Sequence, residues 1–299
     1  MEPFKKLELE DIEIVHPFLK AHNFELCDYT LMVKMLWREY YNIHYYIYQD
    51  TLIFLLFNDQ YTWFEYPLGK NVKEALSFCK QFAQKKLDRL VFANITEAHV
   101  DEISQLIDVD YIVVSDKWFD YIYDYDSFSS LKGKKLSKKR NHVNRFKREY
   151  PNWRFERVNK ENIKAIIDFY NSYVMNQPID DEVYEEYERN SVLNFLENFE
   201  AFDISGGVLW VDDQVVGFSF GELIGDILFV PIEKGDMNYH GVYQMLAMMF
   251  SGLFVEQDPK LINREEDMGD AGLRKAKRSY FPLFLAHKYL MVGKLEQRV

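Results

Sequence analysis

The sequence predicts an α/β protein of the α+β type, with two mixed sheets flanked by helices, one after the other along the chain. The 299 residues are enough for two domains of ordinary size. Runs of β-branched and aromatic residues alternate with stretches of helical periodicity. The same order of elements occurs twice, which indicates a duplicated fold with domains at residues 1–130 and 131–299.

The first half is expected to begin with two helices and a three-stranded meander, followed by a helix, a strand, a helix and a final strand. The predicted bounds, in that order, are Ile12 to Ala21, Thr30 to Tyr40, Tyr45 to Tyr48, Thr51 to Phe57, Tyr61 to Tyr66, Val72 to Lys86 with Asn71 as its cap, Leu90 to Ala93, Glu97 to Ile107, and Tyr111 to Tyr125 as one long strand or two short ones.

The second half is expected to open with a basic helix over 131–150 and then to repeat this order. The predicted bounds are Trp153 to Val158, Glu161 to Val174, Asp181 to Phe199, Val208 to Val211, Val215 to Leu223, Asp226 to Glu233, Gly241 to Val255, Leu261 to Glu265, Ala271 to Arg278 and Phe284 to Val292. This order is that of the GNAT acyltransferase fold, whose sheet opens between its fourth and fifth strands. We therefore expect a tandem GNAT-like fold.

Composition excludes several classes of protein. With 48% hydrophobic and 28% charged residues, the chain is expected to be globular, and its longest apolar run, Leu52 to Phe57, is too short to span a membrane. The first residues lack the pattern of a signal peptide, which predicts a cytoplasmic protein. Cys27 and Cys79 are isolated, and the seven histidines have no ligand spacing, so neither a disulfide nor a metal site is expected.

The segment between Leu131 and Arg148 carries nine Lys/Arg and no acid, in a chain whose net charge is −12. Such a segment either binds a polyanion through its backbone phosphates or is a solvated connecting helix, and the sequence leaves both open. Sequence-specific base-reading modules are not found. The candidate nucleic-acid-binding residues are Lys134, Lys135, Lys138, Lys139, Arg140 and Arg145.

The junction between the third meander strand and the following helix, residues 230–244, is where GNAT acetyltransferases bind the coenzyme A pyrophosphate. Of the glycines that such a turn requires, this sequence has only Gly241. The candidate cofactor-binding residues are Ile232, Gly241, Tyr243 and Gln244. Coenzyme A binding therefore stays an alternative, with pantetheine lying along 227–232.

A run of polar residues occupies 263–267, where the fold needs a central strand. Burial of such a run is costly unless the side chains pair or line a cleft. On a strand, Asn263, Glu265 and Asp267 would share one face. The candidate catalytic residues are Asn263, Arg264, Glu265, Asp267, Arg274 and Lys277, with ion pairing between strand and helix as the alternative explanation.

These segments resemble an uncharacterised bacterial family that is similar to the C-terminal catalytic domain of phosphatidylglycerol lysyltransferase. The residues that carry the resemblance are 133–136, 138–144, 241–245, 263–269, 272–277 and Ser279-Tyr280, with Tyr66 to Gly69 and Asp120 to Tyr123 in the first half. The resemblance implies a relation to enzymes that move an aminoacyl group from charged tRNA to a lipid or peptidoglycan amine. Because the lipid synthases present their lipid with a membrane domain, a small-molecule or peptide acceptor is expected here.

The function expected is transfer of an acyl or aminoacyl group, with aminoacyl-tRNA as donor held by the basic helix, to an amine or hydroxyl. Such transfer needs a cation for the carbonyl oxyanion and a group that accepts the amine proton. Lys277 or Arg274 is the expected cation, and Glu265 or Asp267 the expected carboxylate. The alternatives are an acetyl-CoA-dependent N-acetyltransferase and a non-catalytic RNA- or protein-binding module.

Overall fold

The computed structural model describes residues 2–58, 61–175 and 182–295. The chain divides into two units, Met1–Asp120 with Ala286–Val299 (unit 1) and Tyr121–Leu285 (unit 2). The elements of the first part of the chain are β1 (Lys5–Lys6), α1 (Ile12–Lys20), α2 (Leu31–Trp37), β2 (His44–Tyr48), β3 (Thr51–Phe57), β4 (Thr62–Phe64), β5 (Leu68–Gly69), α3 (Val72–Lys86), β6 (Leu90–Ile95), α4 (Glu97–Leu106) and β7 (Val109–Val114).

The remaining elements follow the predicted order except that a helix at Tyr125–Ser130 was not predicted and the predicted last strand is divided in two. They are β8 (Asp120–Asp124), α5 (Tyr125–Ser130), α6 (Ser137–Glu149), β9 (Trp153–Arg157), α7 (Ile163–Met175), α8 (Glu182–Glu197), β10 (Ser205–Val211), β11 (Gln214–Ile224), β12 (Ile227–Gly235), α9 (Val242–Gly252), β13 (Leu261–Asn263), α10 (Ala271–Arg278), β14 (Phe284–Ala286) and β15 (Tyr289–Gly293). Asp181, the predicted start of the acidic helix, lies outside the described residues.

Two mixed sheets, one in each unit, confirm the predicted fold class. The sheet of unit 1 has the order β1-β2-β3-β4-β6-β15-β7, with β5 paired to β3, and the sheet of unit 2 has the order β14-β8-β13-β12-β11-β10-β9. Both meanders begin with a hairpin that turns through two left-handed residues, Gln49-Asp50 and Asp212-Asp213. Two positive φ angles in a row are what a two-residue hairpin turn of type I′ requires.

The two units divide the chain differently from the predicted boundary between residues 130 and 131. β8 pairs with β13 in unit 2, although it follows β7 of unit 1 along the chain. β15 pairs with β6 and β7 in unit 1, although it follows β14 of unit 2. Each sheet therefore contains one strand that directly follows, along the chain, a strand of the other sheet. The two strands occupy equivalent positions, next to the edge strand: β15 beside β7 and β8 beside β14.

The predicted last strand, Phe284 to Val292, is two strands in two sheets. Between β14 and β15 lies Lys288, whose ammonium nitrogen is 2.7 Å from a carboxylate oxygen of Asp28 and 2.8 Å from one of Asp120. The Lys288 side chain is only 5% exposed, and burial of an ammonium group is tolerated because it is paired. The ion-paired Lys288 thus lies in the short segment between β14 and β15.

The core of unit 2 lies between its sheet and the helices α5, α6 and α9. The basic helix α6 contributes Val143 and Phe146 to this core, on the apolar stripe that its sequence predicts. Of its cationic side chains, Lys138 and Arg145 are exposed, whereas Lys139 lies over the ring of the core residue Tyr280. The predicted span of 131–150 is longer than the helix itself, which begins at Ser137.

Candidate functional site

The sheet of unit 2 opens beside the second half of β12. β12 pairs with β13 in parallel only over Ile227–Phe229, because β13 ends at Asn263. From Ile232 to Gly235 the strand is paired with β11 and has no pairing with β13 among the described residues. We call this opening the gap. It is the position at which the predicted fold opens, between its fourth and fifth strands, here β12 and β13.

Two charged side chains meet across the gap. Glu233 lies on β12, and Arg264 is the first residue after β13, with a guanidinium nitrogen 2.5 Å from a carboxylate oxygen of Glu233. The two side chains are 8% and 16% exposed. Burial raises the pKa of Glu233 despite the opposing charges of Arg264 and Lys277. Burial alone would lower the pKa of Arg264. The neighbouring Glu233 and Tyr280 have a larger opposite effect, so its pKa is raised.

Aromatic rings and a second cation border this pair. The guanidinium carbon of Arg264 is 5.6 Å from the centroid of the Tyr280 ring and 5.4 Å from that of Phe128. Lys139 reaches the same tyrosine from α6, with its ammonium nitrogen 4.0 Å from the ring centroid. Burial and the charge of Arg264 lower the pKa of Lys139 to about 8. A lysine with this pKa has a substantial neutral fraction near physiological pH.

Lys277 braces the loop that follows β13. Its ammonium nitrogen donates to three successive backbone carbonyls, at 2.5 Å to Arg264, 3.1 Å to Glu265 and 2.5 Å to Glu266. The residue is 8% exposed on α10. Three carbonyl partners satisfy all three donors of an ammonium group, so this contact fixes the loop relative to the helix.

The prediction that Asn263, Glu265 and Asp267 share a strand face is wrong. The strand ends at Asn263, whose side-chain oxygen accepts a hydrogen bond from the Glu265 amide at 2.6 Å. Glu265 then takes a left-handed backbone conformation with φ 56°, which interrupts the extended backbone. The alternating faces of a strand are lost at such a residue.

Asp267 and Arg274 form a second ion pair in this loop. The Asp267 carboxylate is fully buried and accepts from the Arg274 guanidinium at 2.7 and 3.0 Å. It also accepts from the Tyr121 hydroxyl at 2.7 Å and from the Gly269 amide at 2.8 Å. Burial alone would raise the pKa of Asp267, but these donors lower it to about 2. So acidic a carboxyl is a poor proton acceptor at neutral pH.

The predicted cofactor turn is closed by protein contacts. The amides of Asp236, Asn238, Tyr239, His240 and Val242 each already donate to a protein acceptor. Gly241 has φ 88°, and a Cβ there would lie 2.7 Å from the carbonyl oxygen of His142 on α6. The basic helix therefore packs directly on the turn that would receive a pyrophosphate.

The other predicted cofactor residues lie nearer the gap. Ile232 is 2% exposed on β12. The Tyr243 hydroxyl is 3.5 Å from that of Tyr173. Burial raises the pKa of Tyr243, and the neighbouring Tyr173 hydroxyl adds to this shift. Burial raises the pKa of Tyr280 to about 12, and Gln244 is one of the neighbouring groups that oppose this shift. Gln244 is therefore a neighbour of the Arg264 cluster.

The predicted nucleic-acid-binding residues fall into two groups. Lys134, Lys135, Lys138 and Arg145 are exposed, although Arg145 pairs with Glu149 at 2.6 Å. Arg140 instead donates to the backbone carbonyls of Leu131 and Gly133, and so holds the segment that precedes α6. Lys139 lies over Tyr280. The exposed lysines are available to a polyanion, whereas Arg140 and Lys139 have structural partners.

Glu233 and Tyr280 belong to the gap, but neither is among the predicted site residues, although Tyr280 is one of the residues that carry the family resemblance. Glu233 carries a signal that could have been used, because it is an acid at the end of an otherwise apolar strand, Ile227 to Ile232. A carboxylate at such a position needs a partner or a function. Tyr280 has no comparable signal, since a tyrosine after a helix is common in cores.

One group in unit 1 has the composition of a metal site. Within the described residues, the ligand atoms of Cys27, Asp28 and Asp120 lie within 4.8 Å of one another. The ammonium group of Lys288 contacts both carboxylates, at 2.7 and 2.8 Å. These acids therefore already share a cation.

Comparisons with known proteins agree with this architecture. A family model described as phosphatidylglycerol lysyltransferase, C-terminal, matches residues 23–292. An uncharacterized protein of Mycoplasmoides gallisepticum is 26% identical over 210 residues, which cover 69% of this chain and 65% of that protein. The match thus spans slightly less than two thirds of that curated relative.

Two solved structures extend over nearly the whole chain. A conserved protein of unknown function from Bacteroides thetaiotaomicron superposes with a TM-score of 0.91 and 29% identity, covering 98% of this chain and all of that one. The L-PGS of Bacillus licheniformis superposes with a TM-score of 0.70 and 15% identity, covering 100% and 96%. No helix among the described residues is long and apolar enough to cross a membrane. The two mixed sheets flanked by helices are those of the predicted fold class, and the chain belongs to the family described as phosphatidylglycerol lysyltransferase, C-terminal.

Proposed function

We propose that the protein transfers an aminoacyl group from charged tRNA to an amine or hydroxyl acceptor, with the reaction in the gap of unit 2. The observation that carries this proposal is the Glu233–Arg264 pair, which lies in the opening of the sheet beneath the basic helix. Buried, paired charges in an opening of a sheet are typical of reaction sites, although ion pairs of this kind also occur in structural roles.

The donor is proposed to be tRNA because the cations of α6 and its preceding segment are exposed and clustered. Lys134, Lys135 and Lys138 are on the surface, and no acid occurs from Leu131 to Arg148. A cationic surface of this kind binds phosphates without reading bases, which suits a donor whose aminoacyl group is carried on a polyanion. The family resemblance to phosphatidylglycerol lysyltransferase supports the same donor.

The chemistry proposed for the gap is attack of the acceptor on the ester carbonyl of the aminoacyl group. A new bond forms between the acceptor nitrogen or oxygen and the carbonyl carbon, and the ester bond to the ribose breaks. The acceptor proton leaves to a base and the ribose oxygen takes up a proton. Arg264 is proposed to stabilise the oxyanion, and Glu233, whose pKa is raised, to accept the acceptor proton.

The catalytic roles expected of Lys277, Arg274, Glu265 and Asp267 stay predictions. The contacts of Lys277 with three carbonyls favour a positioning role for the loop that carries Arg264. The low pKa of Asp267 and its pairing with Arg274 favour the same role for that pair. For Glu265, the predicted role as the carboxylate that accepts the amine proton is not affected by these contacts.

The alternative of an acetyl-CoA-dependent N-acetyltransferase has less support. Pyrophosphate binding at α9 would need amides that already donate to protein acceptors, and it would need the space that the His142 carbonyl fills beside Gly241. The alternative of a non-catalytic RNA-binding module shares the basic surface. A module of this kind would bind RNA in the same way, but the Glu233–Arg264 pair would take no part in a reaction.

The test incubates the purified chain with tRNA carrying radiolabelled lysine, and with phosphatidylglycerol vesicles or a mixture of small amines as acceptor. Label that appears on an acceptor supports the proposal, and Glu233→Gln should remove this transfer. Glu200→Gln, which alters an exposed pair with Lys160 in the same unit, is the matched control and should keep it. Stabilisation of the chain by coenzyme A and not by tRNA in a thermal-shift experiment would instead favour the acetyltransferase.

A further inference from the structure

Phe281 presents an aromatic ring to solvent from a rare backbone conformation. The residue follows α10, is 50% exposed and has φ 58°. Its amide donates to the carbonyl of Arg278 at 3.0 Å, which fixes the turn. A bulky residue in the left-handed region is unusual, and such residues cluster at functional sites. Neither burial nor a favourable backbone explains a phenylalanine at this position.

The surroundings of the ring are cationic. The ammonium nitrogen of Lys135 lies 5.6 Å from the centroid of the Phe281 ring. Lys134 and Lys138, on either side along the chain, are exposed. An exposed ring beside lysines is the combination with which proteins hold single-stranded nucleic acid, since every base has a face that stacks and every nucleotide has a phosphate.

Phe281 directly follows a residue that borders the gap. The ring of that residue, Tyr280, lies under the ammonium group of Lys139 and 5.6 Å from the guanidinium carbon of Arg264. An RNA end held at Phe281 is thus proposed to extend from the exposed ring toward the Glu233–Arg264 pair.

We propose that Phe281 is the stacking platform for a base in the single-stranded 3′ end of the donor RNA, with Lys134, Lys135 and Lys138 contacting its phosphates. The proposal rests on the proposed function, because it gives the donor a binding residue. It adds that recognition at this point depends on an aromatic face and not on the identity of the base, since stacking is tolerant of sequence.

Leu283 and Phe284 are exposed apolar residues near Phe281, so a lipid surface is the alternative ligand for this part of the protein. Leu283 is 62% exposed, two residues after Phe281, and Phe284 is 40% exposed. Exposed apolar side chains beside lysines also suit insertion into an anionic lipid surface. The observations favour RNA because Lys135 lies over the face of the Phe281 ring. A lipid surface would need only the apolar bulk of this residue.

The experiment measures binding of fluorescently labelled deacylated tRNA, and of the same tRNA without its single-stranded 3′ end, by the full chain. Phe281→Leu keeps the apolar bulk without the aromatic face and should weaken binding of intact tRNA by about tenfold. Phe281→Trp should keep wild-type affinity, and so should Leu283→Ala. Removal of the 3′ end should weaken binding by the wild type and have little further effect on Phe281→Leu.

Phe281→Gly guards against loss of fold, because glycine adopts a positive φ without penalty. It should melt at or above the wild-type temperature and bind tRNA as weakly as Phe281→Leu. Equal tRNA affinity of wild type and Phe281→Leu would overturn the platform while leaving the donor proposal intact. Absence of tRNA binding by the wild type would overturn the donor proposal itself. Binding of phosphatidylglycerol vesicles that Phe281→Leu keeps and Leu283→Ala loses would assign the surface to lipid and overturn the RNA platform.

Discussion

The guanidinium of Arg264 and the carboxylate of Glu233 lie 2.5 Å apart across the gap in which β12 and β13 lose their pairing. Each of the two residues comes from a different strand end, so the pair fixes the width of the opening. Because both side chains are largely buried, removal of one charge leaves the other without compensation. The same contact therefore affects stability and, under the proposed function, catalysis.

Glu233→Gln is expected to lower the free energy of unfolding by about 3 kcal/mol, because it leaves the Arg264 guanidinium buried without a counter-charge. The double variant Glu233→Gln/Arg264→Met should recover at least half of this loss, since no charge is then left unpaired. Urea unfolding measures both. Aminoacyl transfer should be absent from the single and the double variant alike. A double variant with full transfer activity would remove the pair from the mechanism.

Lys139 is expected to react with amine reagents faster than the exposed Lys134. With a pKa of about 8, roughly half of Lys139 is neutral at pH 8, against well under 1% for a lysine at its ordinary value of 10.5. Brief treatment with acetic anhydride at pH 8, followed by peptide mass spectrometry, compares the two residues in one sample. Half-burial slows access to Lys139, so the reaction is followed between pH 7 and 9. A rate without a midpoint near pH 8 and a levelling toward pH 9 would contradict the lowered pKa.

Lys277→Met is expected to destabilise the protein by about 2 kcal/mol, because it leaves carbonyls of Arg264, Glu265 and Glu266 without their donor. Lys277→Arg should lose less, since it keeps a charged donor. Lys275, on the same helix and exposed, provides the matched control Lys275→Met, which should be within about 0.5 kcal/mol of the wild type. An unchanged melting temperature of Lys277→Met together with lost transfer would instead support the catalytic role that the sequence suggests.

The sequence predicted most elements of this fold because their signals are local. The apolar stripe of α6 at Val143 and Phe146, and the two-residue turn of the first hairpin at Gln49-Asp50, follow from side-chain type and spacing within a few residues. The second hairpin was predicted with three residues between its strands and has two, because Gln214 pairs with Val211. The destination of β15 does not follow from local signals. Its β-branched and aromatic residues indicate a strand, but its partners β6 and β7 are distant in sequence. Periodicity carries no information about which sheet a strand joins.

The site was predicted in part for the same reason. The polar run at 263–267, which includes Arg264, drew attention to this segment, but the strand was predicted to reach Glu265 and ends at Asn263. The alternation assigned to Asn263, Glu265 and Asp267 was wrong because the left-handed turn at Glu265 has no signature in a glutamate side chain. Glu233 was missed because its partner, Arg264, lies 31 residues further along the chain.

Lys134→Gln/Lys138→Gln is expected to weaken tRNA binding and to reduce the slope of affinity against salt concentration by about two, one for each lost phosphate contact. Both side chains are exposed, so stability should hardly change. This pair tests the basic helix better than a variant that includes Arg140, which holds the carbonyls of Leu131 and Gly133. Lys160→Gln/Lys164→Gln, two exposed lysines elsewhere in unit 2, is the control. An equal loss of slope in both double variants would mean that the binding has no preferred surface.

Asp267→Asn is expected to remove an acid-sensitive part of the stability. The pKa of Asp267 is lowered from 3.8 to about 2 in the folded protein, so the unfolded state binds more protons between these values. The carboxylate therefore contributes stability at pH 5 and above, and this contribution is lost as the pH falls toward 2. The difference corresponds to about 2 kcal/mol, so wild type and Asp267→Asn should differ by this amount at pH 7 and converge in acid.

Asp270→Asn is the matched control for this measurement. Asp270 is an exposed N-cap of α10 that accepts from the Leu273 amide at 2.5 Å, and asparagine caps helices about as well as aspartate. Unfolding by urea at a series of pH values between 7 and 2 compares the three proteins. A difference in unfolding free energy between wild type and Asp267→Asn that stayed constant down to pH 2 would contradict this prediction. The stabilisation would then come from the shape of the side chain and not from the carboxylate charge to which Arg274 and Tyr121 donate.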